Sequence, residues 1–486
     1  NSRFRKGTAV PVSTRSLGVL QGKHATGSCF LSRFYQLDPV RYPCLLASTS
    51  HGTELKGHNT QYDLLLAYPQ YTLTLDADRS LHFSSRITTD TPPVDSGFLD
   101  ALDYLCQQER SEQGPGDSAL PFHGGWFVYL SYEMAMEVEP CLDLPVAQGQ
   151  PLAVAQRHVC GIIHHRQSGE LTAVAEPGFE YLLDELERDY RMLQADRDVA
   201  HGPVRIAGLF EQDEAPYLAQ VERIKRYIVD GDIFQANLSR LWQVELDTAG
   251  SHQVTDYQLF SQLAENNPSS FAALVNLGSM VIISSSPERL VRCIDGTVET
   301  RPIAGTRPRH ADQSEDRQLA DELIAHPKER AEHIMLIDLE RNDLGRVCKA
   351  GSIDVYELMT IETWQHVHHI VSNIRGSLSE GKTPVDVLRA VFPGGTITGC
   401  PKVRCIEILA EMEAQPRGAY TGSLGYINTN GSMDFNILIR TLSRQGSKIS
   451  FRAGGGIVSD SIAIKELEET RAKAKGLLRI FDREQE

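Results

Sequence analysis

Two pairs of glutamates stand at a spacing that suits a divalent cation. Glu329 and Glu332 fall in one predicted helix, and Glu466 and Glu469 fall in another, predicted over residues 463–481. Residues three apart lie on the same helix face, so each pair presents two carboxylates to one place. Four converging carboxylates would suit a hard, oxygen-preferring ion such as Mg²⁺. The same spacing is common on solvated helix faces, so the pattern alone leaves both interpretations open.

Two glycine-rich segments could bind an anion through their backbone. Residues 454–456 are three glycines after a predicted strand at 449–452, and residues 392–402 form a Gly- and Thr-rich loop before a helix predicted to start near Pro401. Consecutive glycines let N–H groups approach an anion closely, and a helix N-terminus favours negative charge. A flexible turn and a capped loop are the simpler interpretations of these two segments.

A histidine-rich strand supplies groups that could move protons. In His366-Val-His-His369, alternation along a strand places His366 and His368 on one face and His369 on the other. A metal site is one interpretation, but a single His as a proton-transfer group suits neutral pH better. The sequence has no Gly-x-Ser-x-Gly or Gly-x-Cys-x-Gly nucleophile motif. If the reaction uses ammonia from glutamine, we therefore expect another chain to produce it.

These residues need a scaffold, and the periodicity of the chain predicts one. An alternating pattern predicts a strand over 71–75, and the apolar stretch over 124–132 predicts a buried strand. Apolar spacings of three and four predict helices over 179–194 and 218–231. We expect a boundary near residues 201–215, where His, Gly and Pro precede acidic residues. The unusual motifs are concentrated after this boundary, so the second half is expected to carry the function.

The composition excludes several classes of protein. The 486 residues carry 48 Lys and Arg against 64 Asp and Glu, a formal net charge of −16. This acidic balance argues against nucleic-acid binding, which needs a basic face. No apolar run is long enough to span a bilayer, and the basic N-terminal residues lack the apolar core of a secretory signal. Nine scattered cysteines without a Cys-x-x-Cys motif indicate reduced thiols, so we expect a cytoplasmic protein.

Taken in order, the motifs resemble those of the chorismate-utilising enzyme family. The resemblance is detailed over residues 214–479 and thinner before them. The matching runs are Gly231-Asp-Ile-Phe-Gln-Ala-Asn-Leu-Ser-Arg240, Ser286-Pro-Glu-Arg-Leu290, Thr300-Arg-Pro-Ile-Ala-Gly-Thr-Arg-Pro-Arg309, Asp338-Leu-Glu-Arg-Asn-Asp-Leu-Gly-Arg346, Gly394–Lys402, Ala419-Tyr-Thr-Gly-Ser-Leu-Gly425 and Ala453–Ser461.

The resemblance implies an α+β fold with two stacked, mainly antiparallel sheets surrounded by helices, and an active site in a cleft between the sheets. Together with the composition, it divides the chain into three segments. These are a loose basic extension at residues 1–25, an N-terminal portion of the fold at 26–205, and a chorismate-binding catalytic portion at 206–486.

The resemblance also implies which residues hold the substrate. The positions that match Mg²⁺ ligands are Glu329, Glu332, Glu466 and Glu469. The positions that match substrate-binding groups are Thr306, Thr396, Tyr420, Arg440, Gly454, Gly455, Gly456 and Lys473. The ion would hold the ring carboxylate of chorismate. Tyr420 and Arg440 would clamp the enolpyruvyl carboxylate, because a guanidinium fork fits a carboxylate geometrically.

Four further positions match the chemistry of the family. Glu288 corresponds to the general acid that protonates the departing C4 hydroxyl, and His369 to the catalytic histidine near the ring. Gln235 stands where water-using members carry a Lys base, so the amide favours ammonia as the nucleophile. Ala304 stands where several members that make 4-amino-4-deoxychorismate carry a nucleophilic Lys, and a methyl group cannot attack.

The motifs disagree about which reaction follows. Ala304 indicates synthesis of anthranilate for tryptophan, whereas the loop at residues 394–399 and Asn237 indicate synthesis of 4-amino-4-deoxychorismate for 4-aminobenzoate and folate. Ala47 replaces an acidic residue of the tryptophan-binding element, so we do not expect tryptophan to bind. We expect the folate branch, with ammonia used twice and supplied by a glutamine amidotransferase partner. The alternatives are anthranilate synthesis and a non-catalytic chorismate-binding or regulatory subunit.

Overall fold

The computed structural model describes residues 12–20, 27–49, 61–85, 92–93, 96–111, 120–195, 204–248, 254–363 and 367–482. The strands in these ranges are β1 Ser13–Val19, β2 Cys44–Ala47, β3 Tyr62–Leu75, β4 Leu81–Ser85, β5 Gly125–Leu130, β6 Ala153–His165, β7 Glu170–Ala175, β8 Val204–Glu211, β9 Gln235–Leu246, β10 Phe271–Asn276, β11 Val281–Ser286, β12 Arg289–Ile294, β13 Thr297–Thr300, β14 Ile303–Pro308, β15 Asp354–Thr363, β16 Val367–Ser377, β17 Gly399–Cys400, β18 Ser423–Asn428, β19 Met433–Asn436, β20 Thr441–Gln445, β21 Lys448–Ile457 and β22 Phe481–Asp482. The α-helices are α1 Gly27–Leu37, α2 Phe98–Gln108, α3 Ala135–Val138, α4 Tyr181–Ala195, α5 Glu214–Val229, α6 Asp256–Asn266, α7 Gln313–Ala325, α8 Pro327–Gly345, α9 Pro384–Val391, α10 Lys402–Glu413 and α11 Ala463–Leu478.

The strands form one continuous hydrogen-bonded network. Its order is β8-β9-β21-β20-β11-β10-β2-β3-β6-β5-β18-β19-β12-β13-β16, with β14 and β15 both paired to β16. Among the strand pairs of the described residues, only β8 with β22 is parallel. The long strands β3 and β6 pair with each other and also with strands on either side, so they connect the two halves of the network.

The two halves of the network stack face to face. Val275 of β10 and Phe127 of β5 belong to the same apolar cluster, although their strands lie in different halves. The neighbouring residues point the other way: Leu274 belongs to the apolar cluster that contains residues of α1, α4 and α6, and Val128 belongs to the cluster that contains residues of α2 and α9. Because successive side chains of a strand alternate between faces, each sheet has one face toward the other sheet and one toward helices. The predicted α+β fold with two stacked sheets is confirmed.

The elements expected from periodicity are present. The segments 179–194 and 218–231 lie in α4 and α5, and the segment 71–75 lies in β3. Strand β5, within the segment 124–132, is buried along its whole length, as a strand packed on both faces must be. The predicted C-terminal helix is α11, which ends at Leu478. Among the described helices, none combines the length and the apolar character that crossing a membrane requires.

Three segments differ from the sequence expectations. Ser13–Val19, in the extension expected to be loose, forms β1, because its backbone pairs with β7. Residues 454–456 lie within β21 and pair with β9, so they form neither a flexible turn nor a curved anion nest. The division proposed between residues 205 and 206 falls inside β8, which pairs with β9. That division stays a prediction, at a place where the backbone is hydrogen bonded.

Candidate active site

Glu288 is buried between β11 and β12, where it is 6 % exposed. The Thr396 hydroxyl donates a 2.7 Å hydrogen bond to Glu288 Oε1, and the backbone N–H of Ile303 donates to the same carboxyl group. Burial raises the pKa of Glu288 to about 7, while these two hydrogen bonds and the charges of Arg440 and Lys473 limit the rise. A carboxyl group with this pKa is partly protonated at neutral pH, as a general acid must be.

His369 occupies the facing strand β16, opposite Thr306 of β14. Its Nδ1 lies 3.1 Å from the carbonyl oxygen of Gly305 and 3.0 Å from the Thr306 hydroxyl. A carbonyl oxygen only accepts, so we assign the ring proton to Nδ1. Burial lowers the pKa of His369 to about 4 and keeps the ring neutral. Nε2 is therefore the nitrogen with the lone pair, available to accept a proton from a bound ring.

The other two histidines of the motif do not share this position. His368 points to the opposite face, where Nε2 lies 2.9 Å from Asp316 and Nδ1 lies 2.9 Å from the Thr363 hydroxyl. This arrangement ties β16 to α7 and to β15. The predicted alternation is correct for His368 and His369, and His366 lies outside the described residues.

Two cations face Glu288 and His369 from different elements. The charges of Arg440 and Lys473 act on both groups. Arg440 has a φ of +51°, a left-handed conformation that side chains other than Gly rarely adopt and that is concentrated at functional sites. Lys473 of α11 donates a 2.8 Å hydrogen bond to the carbonyl oxygen of Gly454 and lies 2.8 Å from Glu469 Oε1. Both cations are thus placed where an anionic substrate would pass.

At two glycines of β21, neighbouring side chains occupy the space that a Cβ atom would need. A Cβ at Gly454 would lie 2.7 Å from the Tyr420 hydroxyl, and a Cβ at Gly456 would collide with the Gln235 amide. Gln235 Oε1 is buried and has no hydrogen-bond partner among the described residues. The structure therefore brings the predicted substrate groups Tyr420, Gln235 and the glycine strand together.

Tyr420 is held by a buried ionic network that the motifs did not reveal. Arg417 lies 2.7 Å from Glu413, and Arg452 lies 3.2 Å from the same carboxylate. The Arg417 guanidinium also lies 5.6 Å from the centre of the Tyr420 ring. Glu413 accepts two further hydrogen bonds, from the backbone and the hydroxyl of Ser239. Glu413 is the last residue of α10 and Arg417 lies in the loop that follows, so helix periodicity gave no signal for this contact.

The loop that carries Thr396 is fixed from both sides. The Asn237 amide donates a 3.0 Å hydrogen bond to the carbonyl oxygen of Ile397. Lys402, just after the loop, contacts Asp343 of α8 at 2.5 Å. These contacts hold the Thr396 hydroxyl at hydrogen-bonding distance from the acid and make the segment a rigid part of the site rather than a mobile turn.

The two carboxylates of α11 lie over the glycine strand. A Cβ at Gly455 would be 3.4 Å from Glu466 Oε2 and 3.4 Å from Glu469 Oε1. Burial and the charge of Glu469 raise the pKa of Glu466. Both carboxylates of this predicted pair therefore point to the part of the cleft that holds the glycines.

The two carboxylates of α8 face the same region from the other side. A Cβ at Gly305 would be 2.9 Å from Glu329 Oε2, which places Glu329 next to the strand segment that contacts His369. Burial raises the pKa of Glu332, and the charges of Glu329 and Glu466 raise it further. The carboxylates of α8 and α11 thus lie close enough to repel one another.

These four oxygen donors have the chemistry that Mg²⁺ prefers, and their mutual repulsion is what a bound cation would relieve. If Mg²⁺ binds, Glu329, Glu332, Glu466 and Glu469 are the residues that would hold it. Within the described ranges, no group of three or more His, Cys, Asp or Glu side chains is already gathered closely enough to hold a metal ion. The ligand set therefore stays a prediction.

The sequence motifs did not point to three charged residues near these carboxylates, which are Arg307, Lys328 and Asp460. Arg307 of β14 lies 3.2 Å from Glu329, and Lys328 lies 3.0 Å from Asp460 in the loop before α11. The available signal was charge spacing, because Lys328 precedes Glu332 by four residues on one helix.

A cavity of about 680 Å³ lies between strands that carry none of the predicted site residues in its wall. Its wall includes Ala47 of β2, Phe271 of β10, Tyr426 of β18 and Arg292 of β12. None of the predicted catalytic, substrate-binding or metal-binding residues lines it. It is therefore separate from the site around Glu288, and the substituted position Ala47 belongs to it.

Comparisons with known proteins agree with this arrangement. A family model described as chorismate binding enzyme matches residues 51–479. The chain is 37 % identical to an anthranilate synthase component I-like protein of Synechocystis over 91 % of this chain and 92 % of the relative. It is 48 % identical to aminodeoxychorismate synthase component 1 of Bacillus subtilis over 55 % of each chain. The crystal structure of anthranilate synthase component I from Streptococcus pneumoniae superposes with a TM-score of 0.74 at 29 % identity, covering 88 % of this chain and 94 % of that one. The chain belongs to the chorismate-binding enzyme family.

Proposed function

We propose that this enzyme aminates chorismate to 4-amino-4-deoxychorismate, the precursor of 4-aminobenzoate and folate. Two observations support this branch of the family. The relative that is 48 % identical over about half of each chain is named aminodeoxychorismate synthase component 1. The loop that holds Thr396 against Glu288 has the Gly-Gly-Thr-Ile-Thr-Gly sequence on which the sequence prediction rested.

The observation that carries the chemistry is that Ala304, rather than a Lys, lies beside the buried acid. The N–H of Ile303 contacts the Glu288 carboxyl group, so the next residue, Ala304, lies on the strand that borders the acid. A methyl group cannot form a covalent adduct with the substrate. Ammonia is then the nucleophile in both displacement steps.

The steps balance with one ammonia consumed and one water released. Ammonia attacks C2 of chorismate, the ring double bonds shift, and the C4 hydroxyl leaves as water with the proton of Glu288. The carboxylate of Glu288 then takes up the proton released by the new amine. A second ammonia attacks C4 and expels the C2 amine as ammonia, so the enolpyruvyl group is retained throughout.

The remaining residues would bind and orient the substrate. We propose that Tyr420, Arg440 and Lys473 hold the enolpyruvyl carboxylate, and that the four carboxylates of α8 and α11 bind Mg²⁺. The ion would supply a positive charge for the ring carboxylate. The cations near Glu288 keep the substrate aligned with the proton that the C4 hydroxyl requires.

Anthranilate synthesis is the second candidate, favoured by a different observation. His369 presents a neutral Nε2, as removal of the C2 proton during aromatisation requires. The Synechocystis relative and the Streptococcus pneumoniae structure carry anthranilate synthase names. In that reaction the first amine adduct loses pyruvate instead of meeting a second ammonia.

We also propose a glutamine amidotransferase partner and a cytoplasmic location. Ammonia is mostly protonated at neutral pH, so a partner that releases it next to the site would raise the supply of the reactive form. The eight cysteines among the described residues are all free thiols, which suits a reducing compartment.

The test is a product analysis of the full chain with chorismate, Mg²⁺ and excess ammonium. We expect a product that retains the enolpyruvyl group and yields 4-aminobenzoate when the lyase that removes pyruvate is added. Direct release of anthranilate and pyruvate would overturn this proposal in favour of the second candidate. Chorismate binding without any amination would instead indicate a non-catalytic subunit.

A further inference from the structure

Lys328 lies at the point where the two carboxylate-bearing helices approach each other. Its Nζ lies 3.0 Å from Asp460 Oδ1, in the loop between β21 and α11, and 3.9 Å from Glu332 Oε1 on its own helix. Its charge also acts on Glu466 of α11. The ammonium group of Lys328 therefore interacts with carboxylates on both sides of the proposed Mg²⁺ site.

A second lysine has a similar place on α11 but a different set of contacts. Lys473 lies 2.8 Å from Glu469 and also donates to the carbonyl oxygen of Gly454, so it is anchored to the substrate strand. Among the described residues, the ion-pair partners of Lys328 are carboxylates alone, and its side chain is 43 % exposed, close to the 48 % of Lys473. If a divalent ion bound the glutamates, Lys473 would keep its hydrogen bond to Gly454, whereas Lys328 would keep only its ion pair with Asp460.

We propose that Lys328 is an internal counter-cation of the metal site: Asp460 holds its ammonium group near Glu332, which it neutralises in the metal-free enzyme and for which it competes with Mg²⁺. This inference rests on the Mg²⁺ site of the proposed function. A monovalent ammonium at this position lowers the repulsion among the carboxylates before the ion arrives. It also repels the arriving divalent ion, so it weakens metal binding while it stabilises the metal-free state.

The effect of replacing Lys328 on Mg²⁺ binding distinguishes a counter-cation from a lysine that only supports the fold. A lysine that only supported the fold would, when replaced, weaken Mg²⁺ binding or leave it unchanged. Removal of a competing counter-cation must instead strengthen Mg²⁺ binding. The ammonium is partly exposed, so solvent and salt screen its charge and limit the gain to about three- to tenfold in affinity.

The experiment is a calorimetric titration of the full chain with MgCl₂ alone, without substrate, for Lys328→Gln. We expect the Kd of this variant for Mg²⁺ to be about three- to tenfold lower than that of the unaltered chain. The difference between the two Kd values should be larger at low salt. Lys328→Arg keeps the charge and should bind Mg²⁺ as the unaltered chain does. Arg330→Gln is the matched control, since it removes a positive charge from an exposed position two residues away. Its Kd should not change.

The outcomes distinguish the inference from the proposal on which it rests. If the unaltered chain takes up no Mg²⁺, the metal site itself is wrong. If it binds Mg²⁺ and Lys328→Gln has the same Kd or a higher one, the counter-cation role alone is overturned. Thermal unfolding with and without MgCl₂ gives a second readout, in which Lys328→Gln should show the larger metal-induced rise in Tm.

Discussion

The same residue type has two different environments at the two ends of the candidate site. Glu288 is buried, with Thr396 and a backbone N–H as its donors, and burial raises its pKa to about 7. Glu469 is half exposed and lies 2.8 Å from Lys473. The first environment favours a carboxyl group that keeps a proton, and the second favours a carboxylate that can exchange one cation for another. The comparison indicates that burial, rather than residue type, distinguishes a carboxyl group suited to acid chemistry from one suited to ion binding.

Replacement of the buried acid should have the largest effect. Glu288→Gln keeps the shape and the contact with Thr396 but cannot release a proton to the C4 hydroxyl. We expect kcat with ammonium to fall by about 10²–10⁴-fold, with KM for chorismate changed by only a few fold. Steady-state kinetics with circular dichroism as the folding control measures both. Turnover equal to that of the unaltered chain would contradict the general-acid assignment.

Replacement of an exposed carboxylate should instead act through the metal. Glu469→Ala removes one of the four predicted Mg²⁺ donors, and we expect the Mg²⁺ concentration that gives half-maximal activity to rise at least about tenfold. Glu468→Ala on the same helix is the control, because its exposed side chain belongs to neither predicted pair. If both variants required the same Mg²⁺ concentration as the unaltered chain, Glu469 would not be a ligand.

The smallest expected effect is a change in pH dependence. In the proposed mechanism the protonated form of Glu288 is the active one, so rates per concentration of unprotonated ammonia should fall as pH rises through about 7. The Thr396 hydrogen bond stabilises the ionised carboxylate and lowers its pKa. Thr396→Val should therefore move this descending limb upward by about 0.5–1 pH unit, and Thr396→Ser should restore it. A limb that stays in place or moves downward in the Val variant would rule out Glu288 as the titrating group.

Three of the elements that carry the site could be predicted from the sequence: the carboxylate helices α8 and α11 and the histidine strand β16. Helix and strand periods then determine which of their side chains share a face. The stacked sheets and the residue roles came from the family resemblance. Spacing by itself could not have brought Glu288 next to Thr396, which are more than one hundred residues apart.

What could not be predicted depends on contacts between distant segments. The glycines of β21 were expected in a turn because a Gly run is flexible in isolation, but pairing with β9 extends them. The residues that support Tyr420, such as Glu413 and Arg417, become visible only when helix α10 is folded against β9. Lys328 and Asp460 are ordinary surface charges until two helices place them together.

The sheet network also determines how this protein can be divided. β5 pairs with β6 on one side and with β18 on the other, so strands from the first and last thirds of the chain are direct neighbours. A fragment starting after β8 would keep every catalytic residue but would leave the edges of β18 and β10 without their partners. Such bare edges pair with other copies of the same chain. The segment with few recognisable motifs therefore covers strand edges of the second half that would otherwise be open to pairing with other copies.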